Sequence, residues 1–225
     1  MAREPEGSEA ALAADDELVA FGRLLFEREC RFVAGATRLE DLPPPVLPEI
    51  AFAGRSNVGK SSLINALTRQ TALARISRTP GRTQQINFFQ LGDALMLVDL
   101  PGYGFARASK KRIGAWTALI HAFLPGRPNL QRLCLLIDAR HGMKDSDLAL
   151  MAELDQAAVV YQIVLTKADK ISAAALGAML DRIAATIPSH PAAHPAPLAT
   201  SARAGSGLDA LRASLAALAA PHRFG

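Results

Sequence analysis

The sequence predicts an α/β fold with a mostly parallel six-stranded sheet, one strand of it antiparallel, and helices on both faces. Apolar runs at residues 133–137 and 162–165 are continuous rather than alternating, which is typical of strands buried on both faces of a sheet. Helical patterns follow these runs, and such alternation indicates parallel strands joined by crossover helices.

The other elements follow from the same patterns. The predicted strands are residues 50–53, 86–91, 95–98, 133–137, 162–165 and 195–200. The predicted helices are residues 17–29, 60–69, 115–123, 145–156, 173–187 and 208–218. A tight turn at Gly92 joins strands 86–91 and 95–98, and because it is too short for a crossover helix we expect that pair to be antiparallel. Residues 31–37 also have strand character.

The chain of 225 residues suits one domain of ordinary size with some extra chain at one end. Residues 1–28 are predicted to be a disordered acidic tail followed by a short helix, because residues 1–16 are rich in Ala, Glu and Asp without apolar periodicity. Residues 29–48 form an N-terminal extension that includes a stiff Pro-rich connector, and residues 49–220 form the main domain.

Composition excludes several classes of protein. The net charge of +4 and a sequence pI of about 9.4 permit a nucleic-acid partner without demonstrating one. Cys30 and Cys134 make neither a disulfide framework nor a zinc pattern, and Cys134 lies in an apolar run that predicts burial. The sequence has no apolar run long enough for a membrane span and no secretory signal, so we expect a cytoplasmic protein.

A phosphate-binding motif lies between a predicted strand and a predicted helix. Residues 54–61 read G-R-S-N-V-G-K-S, which fits G-x-x-x-x-G-K-[ST]. In this context backbone N–H groups and the helix N-terminus cradle phosphates, Lys60 reaches the β- and γ-phosphates, and the Ser61 hydroxyl binds Mg²⁺. The residues expected to contact the nucleotide here are Gly54, Arg55, Ser56, Asn57, Val58, Gly59, Lys60 and Ser61.

A second motif, D-L-P-G, follows the predicted strand 95–98. Its Asp99 is placed to hold the Mg²⁺ shell, and the Gly102 backbone N–H to contact the γ-phosphate, in a loop that moves when that phosphate leaves. Taken alone such a sequence is a common turn, and its place after a strand is what makes it a switch motif. The predicted contacts are Asp99, Leu100, Pro101 and Gly102, and Gly102 joins Lys60 as a catalytic candidate.

The base is predicted to be read by T-K-A-D at residues 166–169. The Asp169 carboxylate can accept two hydrogen bonds, from N1–H and the 2-amino group of guanine. Lys167 can lie along the base, whereas Thr166 stands where a common pattern has Asn, which leaves one polar contact open. Residues 200–202 resemble a loop whose backbone contacts the guanine oxygen. The predicted contacts are Thr166, Lys167, Ala168, Asp169, Thr200, Ser201 and Ala202.

The segment 78–85, R-T-P-G-R-T-Q-Q, lies where a switch loop should offer a Thr hydroxyl to Mg²⁺. Spacing leaves both Thr79 and Thr83 as candidates. Basic residues crowd this segment and the one after D-L-P-G, and they form either a solvated face or a surface that binds RNA phosphates. They are Arg75, Arg78, Arg82, Arg107, Lys110, Lys111 and Arg112.

These motifs together resemble the EngB family of bacterial P-loop GTPases. The resemblance rests on E-I-A-F-A-G-R-S-N-V-G-K-S-S-L-I-N at 49–65, T-P-G-R-T-Q at 79–84, I-N-F-F at 86–89, D-L-P-G-Y-G at 99–104 and T-K-A-D at 166–169, and it covers roughly residues 31–218. It implies a Ras-like G domain over residues 49–220, Mg²⁺-dependent binding of GTP and GDP, and a monomer. It also implies assistance to assembly of the large ribosomal subunit and a role in normal division and septation.

The resemblance also bears on mechanism. It implies that Thr83 rather than Thr79 is the catalytic switch residue on Mg²⁺, among nucleotide contacts Gly81, Arg82, Thr83, Gln84 and Gln85. Ras-type enzymes orient the attacking water with a Gln where this chain has Tyr103, so we expect slow intrinsic hydrolysis. Because related GTPases with an Asn in the phosphate loop use K⁺, we hypothesise that Asn57 helps to bind K⁺.

Three functions compete at this point. A GTPase that acts on the ribosome and its rRNA is favoured by the basic switch segments. A regulatory GTPase that binds a division-machinery protein without an RNA role is the alternative. An ATPase or nucleoside kinase is disfavoured by Asp169, because adenine does not offer the two donors that a carboxylate accepts.

Overall fold

The computed structural model describes residues 7–71, 73–74, 85–103, 123–124 and 126–220, with side chains from residue 15 onward. Its strands and helices agree with the predicted ones in type and order within these ranges. They are α1 (Gly7–Phe26), β1 (Cys30–Ala36), β2 (Glu49–Gly54), α2 (Lys60–Leu67), β3 (Ile86–Leu91), β4 (Leu95–Asp99), β5 (Leu130–Asp138), α3 (Asp145–Gln156), β6 (Tyr161–Thr166), α4 (Ala173–Thr186), β7 (Leu198–Ala199) and α5 (Leu208–Ala216). The predicted helix 115–123 lies outside the described residues except for Phe123.

The sheet has the order β1-β3-β4-β2-β5-β6-β7. β4, β2, β5, β6 and β7 are parallel, whereas β3 runs antiparallel to both of its neighbours, β4 and β1. The mostly parallel α/β fold with one antiparallel strand is therefore confirmed. The parallel strands all end at one edge of the sheet, and the loops of interest leave from that edge.

The predicted count of six strands is wrong, because the sheet has seven. The additional strand is β1, which pairs with β3 from Cys30↔Leu91 to Ala36↔Ile86. As an edge strand it keeps only its two end residues buried. Its sequence therefore lacks the continuous apolar run by which the central strands were recognised.

Helix α1 is longer than predicted, since it begins at Gly7 rather than at Glu17. The prediction of disorder over residues 1–16 is thus wrong for residues 7–16, and residues 1–6 lie outside the described part of the chain. Ala and Glu favour a helix intrinsically, so missing apolar periodicity does not prevent one. No helix among the described residues is long and apolar enough to cross a membrane.

Two apolar layers cover the two faces of the sheet, and alternate residues of each strand enter opposite layers. In β5, Leu133, Leu135 and Ile137 join the layer beneath α3 and α4, which also contains Leu150, Met151, Leu154 and Ile183. Cys134 and Leu136 join the layer beneath α1, α2 and α5, which contains Leu25, Phe26, Leu63, Leu211 and Leu215. The predicted burial of Cys134 is confirmed, and the helices lie on both faces.

The Pro-rich connector is bound to the sheet by a buried ion pair. The Arg127 guanidinium contacts the Glu49 carboxylate at the start of β2, and both side chains are almost completely buried. The same guanidinium donates to the carbonyl of Pro43 at 2.9 Å. These bonds fix where β2 begins, and β2 in turn carries the phosphate loop.

The contact between α1 and α5 generates a test of this packing. A Cβ built on Gly22 of α1 would lie 2.7 Å from the backbone N of Ala213 and 2.8 Å from the carbonyl carbon of Arg212. We expect Gly22→Ala to lower the free energy of unfolding by about 1–3 kcal/mol, because backbone atoms cannot move aside as a flexible side chain can.

Gly177 in α4 is the matched control, because a Cβ there meets nothing within 4 Å. Gly177→Ala should raise stability by about 0.5–1 kcal/mol, the usual gain from replacing a helical glycine. Urea unfolding of both variants makes the comparison. Equal shifts in the two variants would contradict the close packing of α1 on α5.

Candidate nucleotide-binding site

Five loops that carry candidate residues meet at the carboxyl edge of the sheet. They follow β2, β4, β5, β6 and β7, which are parallel and therefore end on the same side. Ligand sites of open α/β sheets lie at this edge. The motifs 54–61 and 200–202 are far apart in the sequence, and both thus contact the loop that follows β6.

The phosphate loop has the strand–loop–helix geometry that its sequence predicts, since β2 ends at Gly54 and α2 begins at Lys60. Gly59 has φ 106°, in the left-handed region that favours glycine, and Asn57 has φ 63°. Gly54 is tightly enclosed, because a Cβ there would lie 2.8 Å from Cγ1 of Val58. The loop therefore presents the N-terminus of α2 to a ligand.

Lys60 and Asp99 form an ion pair at the centre of the site. The Lys60 ammonium contacts Oδ1 of Asp99, and the two side chains are 13% and 10% exposed. The pair therefore places a cation that can bind phosphate oxygens next to a carboxylate that can bind a metal ion.

The oxygens of Ser61 and Asp99 fit Mg²⁺, which prefers oxygen ligands and commonly takes only one or two from the protein when phosphates supply the others. No group of three or more His, Cys, Asp or Glu side chains that could hold a metal occurs among the described residues. A metal held jointly with phosphates therefore suits this edge better than one held by protein side chains alone.

The D-L-P-G segment runs beside the phosphate loop. Tyr103 N–H donates to the carbonyl of Gly54 at 3.2 Å, and Ser56 N–H donates to the carbonyl of Tyr103 at 3.0 Å. A Cβ on Gly102 would lie 3.3 Å from Oγ of Ser56. Gly102 is thus held against the turn of the phosphate loop, and its role at the γ-phosphate remains a prediction.

The Tyr103 side chain lies on the other side of this segment and is only 6% exposed. Its hydroxyl donates to Oδ1 of Asp147 in α3 at 2.7 Å, while Oδ2 of Asp147 accepts the N–H of Lys144 at 2.8 Å. Burial, reinforced by the Asp147 charge, raises the pKa of Tyr103 far above its usual range. The phenol is therefore a protonated donor and not a base for a water molecule.

Two side chains of T-K-A-D bond to the phosphate loop. Thr166 Oγ1 donates to the carbonyl of Val58 at 2.6 Å, and Lys167 Nζ donates to the carbonyl of Asn57 at 2.6 Å. The Thr hydroxyl thus makes a polar contact with the phosphate loop, at a position where the commoner pattern has an amide. These bonds join the base-reading loop to the phosphate loop.

Asp169 is held by the loop that follows β7. Ser201 Oγ donates to Oδ1 of Asp169 at 2.6 Å, and Ala168 N–H donates to the carbonyl of Thr200 at 3.1 Å. The Ser201 hydrogen bond lowers the pKa of Asp169, with a further contribution from Lys170. Asp169 is therefore an ionised acceptor of fixed orientation, which suits the paired N–H donors of guanine.

The structure brings most predicted site residues together, but it does not describe all of them. Gly81, Arg82, Thr83 and Gln84 lie outside the described residues, as do the basic residues of both switch segments. Gln85 lies at the start of β3, where its amide donates to Oδ1 of Asn87 at 2.8 Å and faces Gly35. As contacts of a nucleotide, these residues and all the others named for the site remain predictions.

Two residues where β5 ends, Asp138 and Arg140, were not predicted from the sequence. Asp138 Oδ2 accepts from Lys167 Nζ at 2.8 Å and from Arg140 Nη2 at 2.7 Å, and Oδ1 accepts from Arg140 Nε at 2.9 Å. Burial raises the pKa of Asp138, but the hydrogen bonds from Arg140 and Lys167 outweigh it and hold that pKa well below its usual range. The sequence pattern that could have identified Asp138 is an Asp at the end of a buried parallel strand.

Comparisons with known proteins identify the family of this chain. Residues 49–167 match the family model described as 50S ribosome-binding GTPase. A probable GTP-binding protein EngB of Rhodospirillum rubrum is 58% identical over 205 residues, which is 89% of this chain and 89% of that protein. A probable GTP-binding protein EngB of Nitrobacter winogradskyi is 54% identical over 211 residues, or 93% of this chain and 97% of that protein.

Solved structures share the fold. A crystal structure of a probable GTP-binding protein EngB has a TM-score of 0.63 at 22% identity, and the match covers 77% of this chain and 99% of that one. Elongation factor SelB of Methanococcus maripaludis with a GTP analogue has a TM-score of 0.55, with 79% of this chain and 34% of that one covered. With its fold, motifs and relatives in agreement, the chain belongs to the EngB family of P-loop GTPases, which bind and hydrolyse GTP.

Proposed function

We propose that this GTPase is a switch that binds Mg²⁺–GTP, hydrolyses it slowly, and assists assembly of the large ribosomal subunit as a cytoplasmic monomer, with a role in normal division and septation. The observation that carries the proposal is the convergence of the phosphate, D-L-P-G and T-K-A-D loops at one edge, in a chain whose family model is described as ribosome-binding.

In the proposed site the phosphates lie on the N–H groups of the 54–61 loop and on the Lys60 ammonium. Ser61 and the switch Thr83 would hold Mg²⁺, Asp99 would help to hold its shell, and the ion would supply positive charge to the phosphates. Gly102 faces the γ-phosphate, and its segment is bonded to the phosphate loop by Tyr103 and Ser56. Loss of the γ-phosphate removes a partner of Gly102, so this segment changes position with the nucleotide.

Slow hydrolysis follows from the environment of Tyr103. Its hydroxyl is bonded to the buried Asp147, and a phenol lacks the amide with which Gln orients a water in Ras-type enzymes. A partner surface or a bound cation must therefore contribute to fast turnover. We propose that the ribosomal particle is that surface and that K⁺ at Asn57 is that cation.

The proposed base contact is tested by Asp169→Asn. We expect affinity for GDP to fall about 100-fold and affinity for xanthosine diphosphate to rise, because an amide donates where the carboxylate accepted. Isothermal titration with both nucleotides measures the change, and Asp181→Asn, an exposed residue of α4, is the matched control. If Asp169→Asn keeps its preference for guanine, another residue reads the base.

The cation hypothesis is tested by GTP turnover of the purified protein in KCl and in NaCl. We expect a rate on the order of 10⁻³ s⁻¹ in NaCl, as for unassisted Ras-type hydrolysis, and a rate at least about tenfold higher in KCl. Asn57→Gly should abolish the difference, and the loop should keep its shape because glycine accepts the positive φ of this position. Equal rates in the two salts would exclude K⁺, and turnover of many per second in NaCl would exclude slow hydrolysis.

The ribosomal proposal is tested by co-sedimentation with ribosomal particles at several salt concentrations, with a non-hydrolysable GTP analogue and with GDP. We expect binding to the large subunit with the analogue only, and a steep decline with salt because basic residues replace counterions on RNA phosphates. Lys110→Glu should weaken binding several-fold, whereas the same charge change at Arg182 in α4 should not. Absence of binding in both nucleotide states would favour the alternative, a GTPase that binds a division-machinery protein.

A further inference from the structure

Lys167 lies between the phosphate loop and the base-reading loop of the proposed site. Its ammonium donates to the carbonyl of Asn57, and its stem passes Gly59, where a Cβ would lie 3.4 Å from Cε of Lys167. Its own backbone has φ 57°, in the left-handed region. Such a long side chain has several accessible rotamers in solution, so holding this one requires partners for the ammonium.

Asp138 is the second partner of that ammonium. Its Oδ2 lies 2.8 Å from Lys167 Nζ, and the carboxylate is only 11% exposed. Charge-assisted hydrogen bonds are stronger than neutral ones, especially where water has little access. The carboxylate therefore supplies the charged contact that fixes the ammonium, and the Asn57 carbonyl supplies a neutral one.

Arg140 is a further partner of the Asp138 carboxylate. Its guanidinium makes a bidentate contact with Asp138, and its backbone N–H donates to Oδ1 of Asp138 at 3.0 Å. The Arg140 side chain is 42% exposed, so its own pairing with Asp138 is screened by water more than that of Lys167, which is 28% exposed. Arg140 therefore makes the weaker, more exposed contact with Asp138, and Lys167 is the cation next to the nucleotide site.

We propose that Asp138 is a positioning residue for guanine nucleotides, which holds the Lys167 ammonium so that the base-reading and phosphate loops keep one spacing. The inference rests on the proposed placement of the base beside Lys167 and Asp169. It assigns the β5 loop a part in nucleotide affinity that the phosphate, D-L-P-G and T-K-A-D motifs do not include. A purely local alternative is that Asp138 only braces its own loop through Arg140.

The test measures the dissociation constant and the dissociation rate of fluorescent GDP for Asp138→Asn and Asp138→Glu. The first removes the charge, and the second moves the carboxylate by one methylene from its present contact. Both should weaken GDP binding about tenfold, mainly through faster dissociation, because Lys167 is then free to leave its position. Asp145→Asn, an exposed acidic residue at the start of α3, should change the affinity less than about twofold.

A double-mutant cycle separates positioning from local bracing. In a Lys167→Met background, which keeps the stem and removes the ammonium, Asp138→Asn should cause no further loss if it acts through Lys167. Arg140→Ala should leave the affinity within about twofold, because Asp138 keeps its bond to Lys167. Thermal unfolding without nucleotide checks that each variant is folded. If a single variant is unfolded, the double-alanine variant, Asp138→Ala with Arg140→Ala, is measured in its place.

Each outcome of these experiments either supports or overturns the role proposed for Asp138. Unchanged GDP affinity in Asp138→Asn would overturn the proposal, and so would a full loss that persists in the Lys167→Met background or is reproduced by Arg140→Ala. Unfolding of both Asp138→Asn and the double-alanine variant would establish the bracing role instead. Failure of the wild-type protein to bind GDP would be a different result, because it would refute the proposed nucleotide site and not the role of Asp138 alone.

Discussion

The carbonyl oxygens of the phosphate loop need donors, and the surrounding loops supply them. The carbonyl of Gly54 accepts the N–H of Tyr103, that of Asn57 accepts Lys167 Nζ, and that of Val58 accepts the Thr166 hydroxyl. Buried backbone groups without partners are costly, so the loop keeps its shape only while the neighbouring strands end beside it. The parallel order of the sheet is therefore a condition for binding phosphate.

Three ion pairs join charged side chains that are largely buried. Lys60 contacts Asp99, Lys167 contacts Asp138, and at the opposite end of β2 the Arg127 guanidinium contacts Glu49. Such pairs contribute little net stability, because desolvation offsets much of the attraction, but removing one partner leaves an uncompensated charge. Their value here is geometric, since each pair fixes the position of a group that a ligand or a strand requires.

Tyr103 connects the nucleotide edge with α3. Its backbone bonds to the phosphate loop through Gly54 and Ser56, while its hydroxyl bonds to Asp147, which also bonds to the N–H of Lys144 before the first turn of that helix. A displacement of the D-L-P-G segment must either carry α3 with it or break a buried hydrogen bond. The segment is thus bonded to the phosphate loop through its backbone and to α3 through the Tyr103 side chain.

The sequence by itself determined the α/β class, the antiparallel pair and the three motif loops, because buried parallel strands and phosphate loops leave strong local patterns. It indicated strand character at residues 31–37 but did not place them in the sheet, since an edge strand that is mostly exposed lacks that pattern. Only the tertiary structure decided which groups hold the loops together. Asp138 and Asp147 lie in no motif, and they matter because strand order brings them beside Lys167 and Tyr103, which are 29 and 44 residues away in sequence.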